Sequence, residues 1–375
     1  MRMLFFFGFL AIMLGGLIYA LWHVWYLLPC AKVWRWCVVI LMAVCFLSMI
    51  PFLFGVLDRL PLNVASVCYD VSTSSFFILL YLVMIFLAVD IARLLHLLPK
   101  GFFHESWWQT GALVFVMLTI FVSGNIRYRH KVRVPLELTT AKPLGKAYKM
   151  VMLSDLHLGY HNRRAEFSRW VDLVNAEHPD LILVAGDIID NSVRPLLEEN
   201  VAEEFRRLEA PVYACIGNHE YISGHDKARN FYQAAGIHLL KDETAVIDST
   251  ICLIGRDDRS NPRRKEVKDL VGNDMDGLYT ILLDHQPYHL EHAEQSHIDF
   301  QLSGHTHRGQ VWPISWITDA LYECSFGPWQ RGSTRYYVSS GIGIWGGKYR
   351  IGTQSEYIVA TISASDNLNL NDNIN

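Results

Sequence analysis

Apolar residues are distributed very unevenly along this chain of 375 residues. Four long apolar runs occupy its first third, at about 4–28, 33–57, 74–99 and 108–126. Each run is close to the ~20 residues that an α-helix needs to cross a bilayer, and hardly any of them has a polar face. The pattern predicts a transmembrane domain of four helices over residues 1–126, although a cleaved signal peptide would resemble the first run.

The basic residues between the runs predict an orientation. Four spans place both ends of the domain on one side, which carries Arg2, Arg59, Arg127, Arg129, Lys131 and Arg133. The other side carries Lys32, Arg35, Arg93 and Lys100. Because the side with more basic residues is usually cytoplasmic, we expect an integral protein of the inner or cell membrane with a cytoplasmic C-terminal domain.

Two charges, Asp90 and Arg93, interrupt the third run. They lie one helical turn apart, so they can pair with each other near the helix end while Arg93 reaches the interface. Charges within a membrane are also often functional. The spacing favours the ion pair, and a functional role stays open.

From residue 127 the composition becomes that of a soluble protein. Residues 127–146 look like a basic juxtamembrane linker containing two prolines. Three short apolar runs, at 149–154, 181–185 and 212–216, are typical of buried strands, and helical patterns at 163–177 and 195–208 separate them. Such alternation implies parallel strands joined by right-handed crossovers.

The later segments are richer in strands, at 245–254, 278–284, 297–303, 334–340 and 356–362. They predict a second sheet packed on the first. The expected fold is therefore an N-terminal four-helix transmembrane domain followed by an α/β sandwich at 147–362, with two mixed sheets flanked by helices. Residues 363–375 are rich in Asn and Asp and are expected to form a disordered tail.

Five short polar segments each end a predicted strand. They are Asp155-Leu-His157, Gly186-Asp187, Gly217-Asn218-His219, Asp284-His285 and Gly304-His305-Thr-His307. From Asp155 to Asp187 is 32 positions and from Asp187 to Asn218 is 31, which is one βαβ unit each time. These three segments should therefore meet at the carboxyl edge of parallel strands, where α/β sheets bind ligands.

The residue types in these segments suit divalent cations. Carboxylate, imidazole and amide oxygen fit Mn, Fe, Zn or Mg, and the seven cysteines form no CxxC pair that would suggest a thiolate site. His285 is favoured over His289, His292 and His297 because it follows an apolar run. Asp190 and Glu220 are expected to orient neighbours rather than bind metal.

Together the segments resemble the calcineurin-like metallophosphoesterase family, and more narrowly its membrane-attached bacterial branch. The resemblance covers about 147–362. It implies one metal held by Asp155, His157, Asp187 and His307, and a second held by Asp187, Asn218, His285 and His305. It also implies that His219 is the general acid, or a donor to the transferred phosphoryl group. Arg308 stands where relatives often have glycine, and it could contact phosphate or face solvent.

The resemblance implies hydrolysis of a phosphodiester, phosphomonoester or pyrophosphate bond by a metal-activated hydroxide. Two divalent cations, two carboxylates and a hydroxide leave about one positive charge, which attracts a phosphate ester. The membrane domain and the aromatic segment 311–329 favour a lipid or a lipid-linked nucleotide, a substrate class that some members of the family hydrolyse. The tryptophans of this segment could equally cover the domain's core.

Two other functions remain open: a membrane sensor or scaffold with a vestigial hydrolase domain, and a membrane-tethered nuclease. The first would be favoured by the loss of a ligand, and no ligand is missing from the motifs. The second is disfavoured by a net charge of −4 and by the lack of a basic patch beyond the juxtamembrane run. No specific nucleic-acid partner is therefore expected.

Overall fold

The computed structural model describes residues 2–272 and 275–365. The chain divides into two compact units, Met1–Asn125 with Gly346–Lys348, and Ile126–Trp345 with Tyr349–Asn375. The predicted tail at 363–375 lies outside the described residues from position 366 onward, whereas its first two residues end a strand.

Four helices dominate the first unit, and their number confirms the prediction. They are α1 (Arg2–Leu27), α2 (Lys32–Leu47), α3 (Leu62–Leu94) and α4 (Trp107–Arg129). The stretches Leu10–Leu27, Lys32–Phe52, Leu62–Leu94 and Trp107–Arg129 are long and apolar enough to cross a membrane, judged by length and composition.

Prolines explain why two predicted spans had the wrong bounds. The run at 33–57 is not one helix, because α2 ends at Leu47 and a 3₁₀ turn containing Pro51 follows it at Ile50–Phe54. Helix α3 begins at Leu62, directly after Pro61, and not at position 74. It ends at Leu94, not at position 99.

The charged pair in α3 forms as expected. Arg93 Nη1 donates to Asp90 Oδ1 at 2.9 Å. The second oxygen, Oδ2, accepts a hydrogen bond from Tyr19 Oη at 2.7 Å and lies 2.9 Å from His23 Nε2. Both partners belong to α1, so this polar cluster joins α1 to α3. Their contribution was not foreseen.

The second unit contains two six-stranded mixed sheets, as predicted. The first has the order β1-β12-β2-β3-β4-β5, and the second β10-β11-β9-β8-β7-β6. The strands are β1 (Lys131–Thr140), β2 (Tyr148–Leu153), β3 (Leu181–Ala185), β4 (Val212–Cys215), β5 (His238–Leu239), β6 (Glu243–Ile247), β7 (Ile251–Gly255), β8 (Tyr279–Leu283), β9 (Phe300–Ser303), β10 (Gly327–Arg331), β11 (Thr334–Val338) and β12 (Ser355–Ala364).

Strand direction positions the functional edge. Strands β2, β3, β4 and β5 run parallel to one another, as do β7, β8, β9 and β11. One apolar core lies between the sheets, where Met152 and Leu183 of the first pack with Leu253 and Ile281 of the second. The carboxyl ends of β2, β3, β4, β8 and β9 are followed by the five polar segments.

Short helices follow many of the strands, and several of them cover the outer faces of the sheets. They are α5 (Arg164–Asn175), α6 (Arg194–Glu198), α7 (Ala202–Phe205), α8 (Asn218–Ser223), α9 (His225–Ala235), α10 (Glu291–Gln295) and α11 (Ile314–Leu321). Phe167, Phe205 and Phe231 of α5, α7 and α9 pack on the first sheet. Ala293 of α10 belongs to the core outside the second sheet.

The prediction that residues 127–146 form a linker is wrong for most of that stretch, because β1 occupies Lys131–Thr140. Its inner residues alternate with exposed ones, and its parallel partner is β12. Pro135 and the basic residues suggested a linker, but an edge strand tolerates proline since one side of its backbone has no partner strand.

One strand and one helix that were predicted as continuous are each divided into two elements in the structure. The run at 245–254 is the hairpin β6–β7, turned by Asp248 and Ser249 at φ of 46° and 57°. The helix at 195–208 is split into α6 and α7, and Asn200 lies between them at a φ of 53°. Asp and Asn tolerate the left-handed conformation better than most residues, which allows these sharp breaks.

Candidate metal centre

The structure brings all eight predicted site residues to one edge of the two sheets. Seven of them were predicted as metal ligands and the eighth is His219. The side chains other than that of Asn218 form three overlapping groups, and the donor atoms within each group lie within 4.8 Å of one another. These groups are Asp155–His157–His307, His157–Asp187–His219 and Asp187–His285–His305. The spacing by βαβ units therefore located the edge correctly.

The first ligand group follows β2 and β9. His157 Nε2 lies 3.0 Å from His307 Nε2. Asp155 Oδ1 lies 3.9 Å from the former nitrogen and 3.6 Å from the latter. Asp187 Oδ2 approaches His157 Nε2 at 3.7 Å. Metal–ligand bonds are about 2.0–2.2 Å long, so ligands of one ion lie roughly 3–3.5 Å apart, close to these separations.

The second ligand group shares an atom with the first. His285 Nε2 lies 3.1 Å from Asp187 Oδ2 and 3.2 Å from Asn218 Oδ1. His305 Nδ1 lies 2.9 Å from the same Asn218 oxygen. The other oxygen of Asp187, Oδ1, accepts the backbone N–H of His219 at 2.9 Å. Asp187 Oδ2 is thus left between the two groups.

The backbone of this edge adopts an uncommon conformation. Five candidate ligands have positive φ angles, namely Asp155 (52°), His157 (45°), Asp187 (52°), His305 (71°) and His307 (47°). Only a few per cent of non-glycine residues do so, and such strain concentrates at functional sites. The turns after β2, β3 and β9 are therefore shaped by the placement of these side chains.

Two glycines allow the turns to approach one another. A Cβ at Gly217 would collide with Asp187 Oδ1, and a Cβ at Gly304 would collide with Asp155 Oδ2. Gly217 directly precedes Asn218, and Gly304 directly precedes His305. Each glycine leaves room for a carboxylate supplied by a neighbouring turn.

Asp190 fixes the rings of two histidines. Its Oδ1 lies 3.3 Å from His157 Nδ1 and 3.2 Å from His219 Nδ1. Burial raises the pKa of Asp190, but hydrogen bonds from these histidines outweigh it and hold the pKa far below its usual range. An ionised Asp190 keeps a proton on His157 Nδ1 and leaves the lone pair of Nε2 for the ligand group.

The electrostatics of the edge suit cations. Burial lowers the pKa of His285, yet Asp187 and Asp155 raise it more, so the net pKa lies well above its usual value. Burial also opposes the shift of His219, whose pKa Asp187 and Asp190 raise to about 9. The buried carboxylates thus draw positive charge to the edge, and a donor set of carboxylate, imidazole and amide oxygen fits divalent cations.

Glu220 holds two of the ligand turns together. Its Oε2 accepts the N–H groups of Gly217 at 2.7 Å and Asp187 at 3.2 Å. Its Oε1 accepts the N–H of Ile189 at 3.0 Å and the hydroxyl of Tyr232 at 2.7 Å. The side chain is fully buried. Glu220 therefore supports the turns after β3 and β4, as expected of a residue that orients its neighbours.

Glu220→Ala is expected to lower the free energy of unfolding by about 3–5 kcal/mol, because it leaves buried donors without acceptors. Glu220→Gln should be nearly as harmful, since its amide N–H₂ would face other donors. Urea denaturation of the metal-free protein in detergent measures the change, with Glu209→Ala as an exposed control. A loss below about 1 kcal/mol would argue against this role.

Arg350 is a fully buried residue that the sequence analysis did not identify. Its Nη1 donates to the His307 carbonyl at 2.9 Å, and its Nη2 donates to the carbonyls of Gly343 at 3.0 Å and Gly341 at 3.2 Å. It thereby joins the turn after β9 to the glycine-rich segment before β12. A lone arginine among glycines, at 341–352, was the available signal.

Several other side chains prove to lie outside the two ligand groups. The Arg308 guanidinium stacks on Phe326 at 4.7 Å. His289 and His292 stack on each other at the start of α10, at 5.2 Å between ring centroids. The choice of His285 over these histidines thus agrees with the geometry.

Comparison with known proteins gives a consistent result. The family model described as "Calcineurin-like phosphoesterase" matches residues 148–309. A Bacillus subtilis protein, "Uncharacterized metallophosphoesterase YkuE", is 30% identical over 235 residues, which cover 58% of this chain and 80% of that protein. An "Uncharacterized metallophosphoesterase" of Aquifex aeolicus is 27% identical over 238 residues, which cover 61% of this chain and 90% of that protein.

The name of a third relative mentions both a metallophosphoesterase domain and a transmembrane protein. The "Transmembrane protein with metallophosphoesterase domain" of Danio rerio is 31% identical over 227 residues, which cover 56% of this chain. The chain spans 51% of that protein, and about 59% of a relative from Helicobacter pylori.

Proposed function

Because this chain belongs to the calcineurin-like phosphoesterase family of metal-dependent phosphoric ester hydrolases, we propose that it is a membrane-bound hydrolase acting through two divalent cations. The bond is a phosphodiester, phosphomonoester or pyrophosphate. One observation supports the two-cation centre above the others. Asp187 Oδ2 lies 3.7 Å from His157 Nε2 and 3.1 Å from His285 Nε2, between two complete sets of donors.

In this proposal each ligand group binds one of the two ions. Asp155, His157 and His307 would hold one ion, and Asn218, His285 and His305 would hold the other. The carboxylate of Asp187 lies near both sets and could serve either ion. Bound divalent cations supply Lewis acidity, which lowers the pKa of water and neutralises phosphate charge. Mn, Fe, Zn and Mg all suit this donor set.

His219 is the proposed general acid. Hydrolysis forms a bond from water oxygen to phosphorus and breaks the bond from phosphorus to the leaving oxygen, which gains a proton when it leaves as an alcohol. His219 Nδ1 faces Asp190 at 3.2 Å, which leaves Nε2 to donate that proton. In the metal-free protein, burial lowers the pKa of His219, but Asp187 and Asp190 outweigh burial and raise it to about 9.

The proposed membrane arrangement follows the sequence prediction with a corrected boundary. Residues 1–126 form the transmembrane domain, and the catalytic domain begins at β1 and includes 147–362. We place the catalytic domain in the cytoplasm because basic residues are more frequent on its side. Added protease should spare this domain in right-side-out cells and digest it in inverted membrane vesicles. The opposite pattern would contradict the orientation.

A hydrolysis screen of the purified full-length protein tests the proposed function. The substrates are p-nitrophenyl phosphate esters, nucleotides, phospholipids and single-stranded DNA, each with Mn²⁺. We expect phosphoester hydrolysis that EDTA abolishes and added Mn²⁺ restores. Hydrolysis of DNA alone would favour the tethered nuclease, and no hydrolysis of any substrate would favour a sensor or scaffold.

A further inference from the structure

Helix α11 follows the last candidate ligand closely, and its two hydroxyl side chains, Ser315 and Thr318, are turned inward, whereas Asp319 is exposed. Ser315 is buried, and Thr318 is half-buried, with its hydroxyl donating to the Ser315 carbonyl at 2.8 Å. In contrast, Trp316 is 66% exposed, Ile317 57% and Leu321 67%. A helix that lies on a soluble domain normally shows the reverse arrangement.

The exposed side chains share one face of the helix. At 100° per residue, Trp316, Ile317, Ala320 and Leu321 lie within an arc of about 140°, and none of them is charged. Trp312 extends this face, since its ring packs edge-on against that of Trp316 at 5.3 Å and it is 38% exposed. We call Trp312, Trp316, Ile317 and Leu321 the α11 patch.

Both ends of helix α11 lie close to the turn that carries His305 and His307. At its start, a Cβ on Gly309 would fall 2.5 Å from the Ser315 backbone nitrogen, so the turn that follows His307 packs directly on the first turn of α11. At its end, the ring of Tyr322 lies 6.5 Å from the ring of His305, between centroids. A surface that contacts the α11 patch therefore lies next to the ligand groups.

The order of elements along the chain indicates which surface contacts the α11 patch. Helix α4 ends at Arg129 and β1 begins at Lys131, so a single residue separates a membrane-length helix from the catalytic sheet. The chain therefore has almost no linker between this helix and the catalytic domain. Trp, Ile and Leu are the residues with which amphipathic helices enter the interfacial layer of a bilayer. Four side chains are too few for a stable dimer interface, which takes roughly 20–30 residues a side.

We infer that the α11 patch lies in the interfacial layer of the bilayer and that the substrate is a phosphate ester carried by a membrane lipid. The substrate class rests on the proposed function, whereas the membrane contact does not. Shallow insertion of α11 places the ligand groups at the depth of lipid headgroups. A lipid can then be hydrolysed without leaving the membrane, and a soluble ester gains nothing from the contact.

The first arm of the experiment measures the contact without turnover. The free cysteines that are not buried, Cys30, Cys37, Cys45 and Cys68, are first replaced by alanine. This full-length protein is reconstituted in phosphatidylcholine vesicles with the fluorophore NBD attached through Leu321→Cys. The matched control carries the fluorophore through Val246→Cys. Val246 is 52% exposed and lies on β6, an edge strand of the second sheet. We expect a blue-shifted emission and quenching by nitroxide lipids at position 321 only. Equal, water-like emission at both positions would overturn the membrane contact. So would a blue shift at position 321 without quenching by nitroxide lipids, because the fluorophore would then lie against protein.

The second arm tests the substrate class. The variant W316S/I317S/L321S should hydrolyse vesicle-borne phospholipid at least about tenfold more slowly, because each lost apolar side chain weakens interfacial binding about tenfold or more. Its rate on soluble p-nitrophenyl phosphate and that of Val246→Ser on both substrates should change less than about twofold. Equal losses on both substrates, or none, would overturn the lipid assignment. Inactivity of the unaltered protein on every ester would instead refute the proposed function and leave the label result standing.

Discussion

Replacing Asp187 with alanine is expected to remove both metal ions and to lower phosphoester hydrolysis roughly a thousandfold or more. Its Oδ2 lies between the two ligand groups, and each group would lose a charged donor at once. Metal analysis of the dialysed protein, alongside steady-state rates, measures both effects. Asp172→Ala on the exposed face of α5 is the matched control and should retain metal and activity.

Single-group variants sharpen this expectation. His307→Ala removes a donor from the first group only, and His305→Ala removes one from the second only, so each should cost the protein one ion. If Asp187→Ala also lost only one ion, Asp187 would belong to one group alone. If it kept two ions and full activity, the shared position of its carboxylate would have no role in metal binding.

His219→Ala should separate chemistry from metal binding. The side chain is in no proposed ligand set, so metal content should stay near that of the unaltered protein. The rate on an alkyl phosphate ester, a poor leaving group, should fall about 10²–10⁴-fold, the usual contribution of a general acid. A p-nitrophenyl ester should lose much less, since p-nitrophenolate leaves without a proton.

The leaving-group dependence is the decisive readout for His219. A plot of rate against leaving-group pKa should become steeper in His219→Ala than in the unaltered protein. His289→Ala, an exposed histidine beside α10, is the matched control and should leave the slope unchanged. An equal loss for all esters would identify His219 as a donor to the phosphoryl group, the other role that the family resemblance allowed.

Sequence reasoning located the candidate centre because two regularities act together. The period of βαβ units aligned Asp155, Asp187 and Asn218 at one sheet edge, and strand-end positions identified His285 and the pair His305–His307. Such information is local, since each ligand directly follows an apolar strand. The turn conformations that aim these side chains depend on neighbouring turns, so the sequence alone did not give the distances.

The elements that were missed depend on long-range contacts. Strand β1 is recognisable only once β12, more than 200 residues later, pairs with it. Arg350 has no motif of its own, because it binds backbone carbonyls. Helix α11 lies inside the aromatic segment 311–329, and its apolar side became informative only when the structure placed that side outward.

Titration of metal-free, full-length protein with Mn²⁺ tests the two-cation centre most directly. Hydrolysis of a p-nitrophenyl phosphate ester is followed while bound Mn²⁺ per chain is measured in the same samples. Activity should stay low through the first equivalent and rise as the second binds, reaching its plateau at two ions per chain. Full activity at one equivalent, or activity unaffected by metal removal, would contradict the two-cation centre.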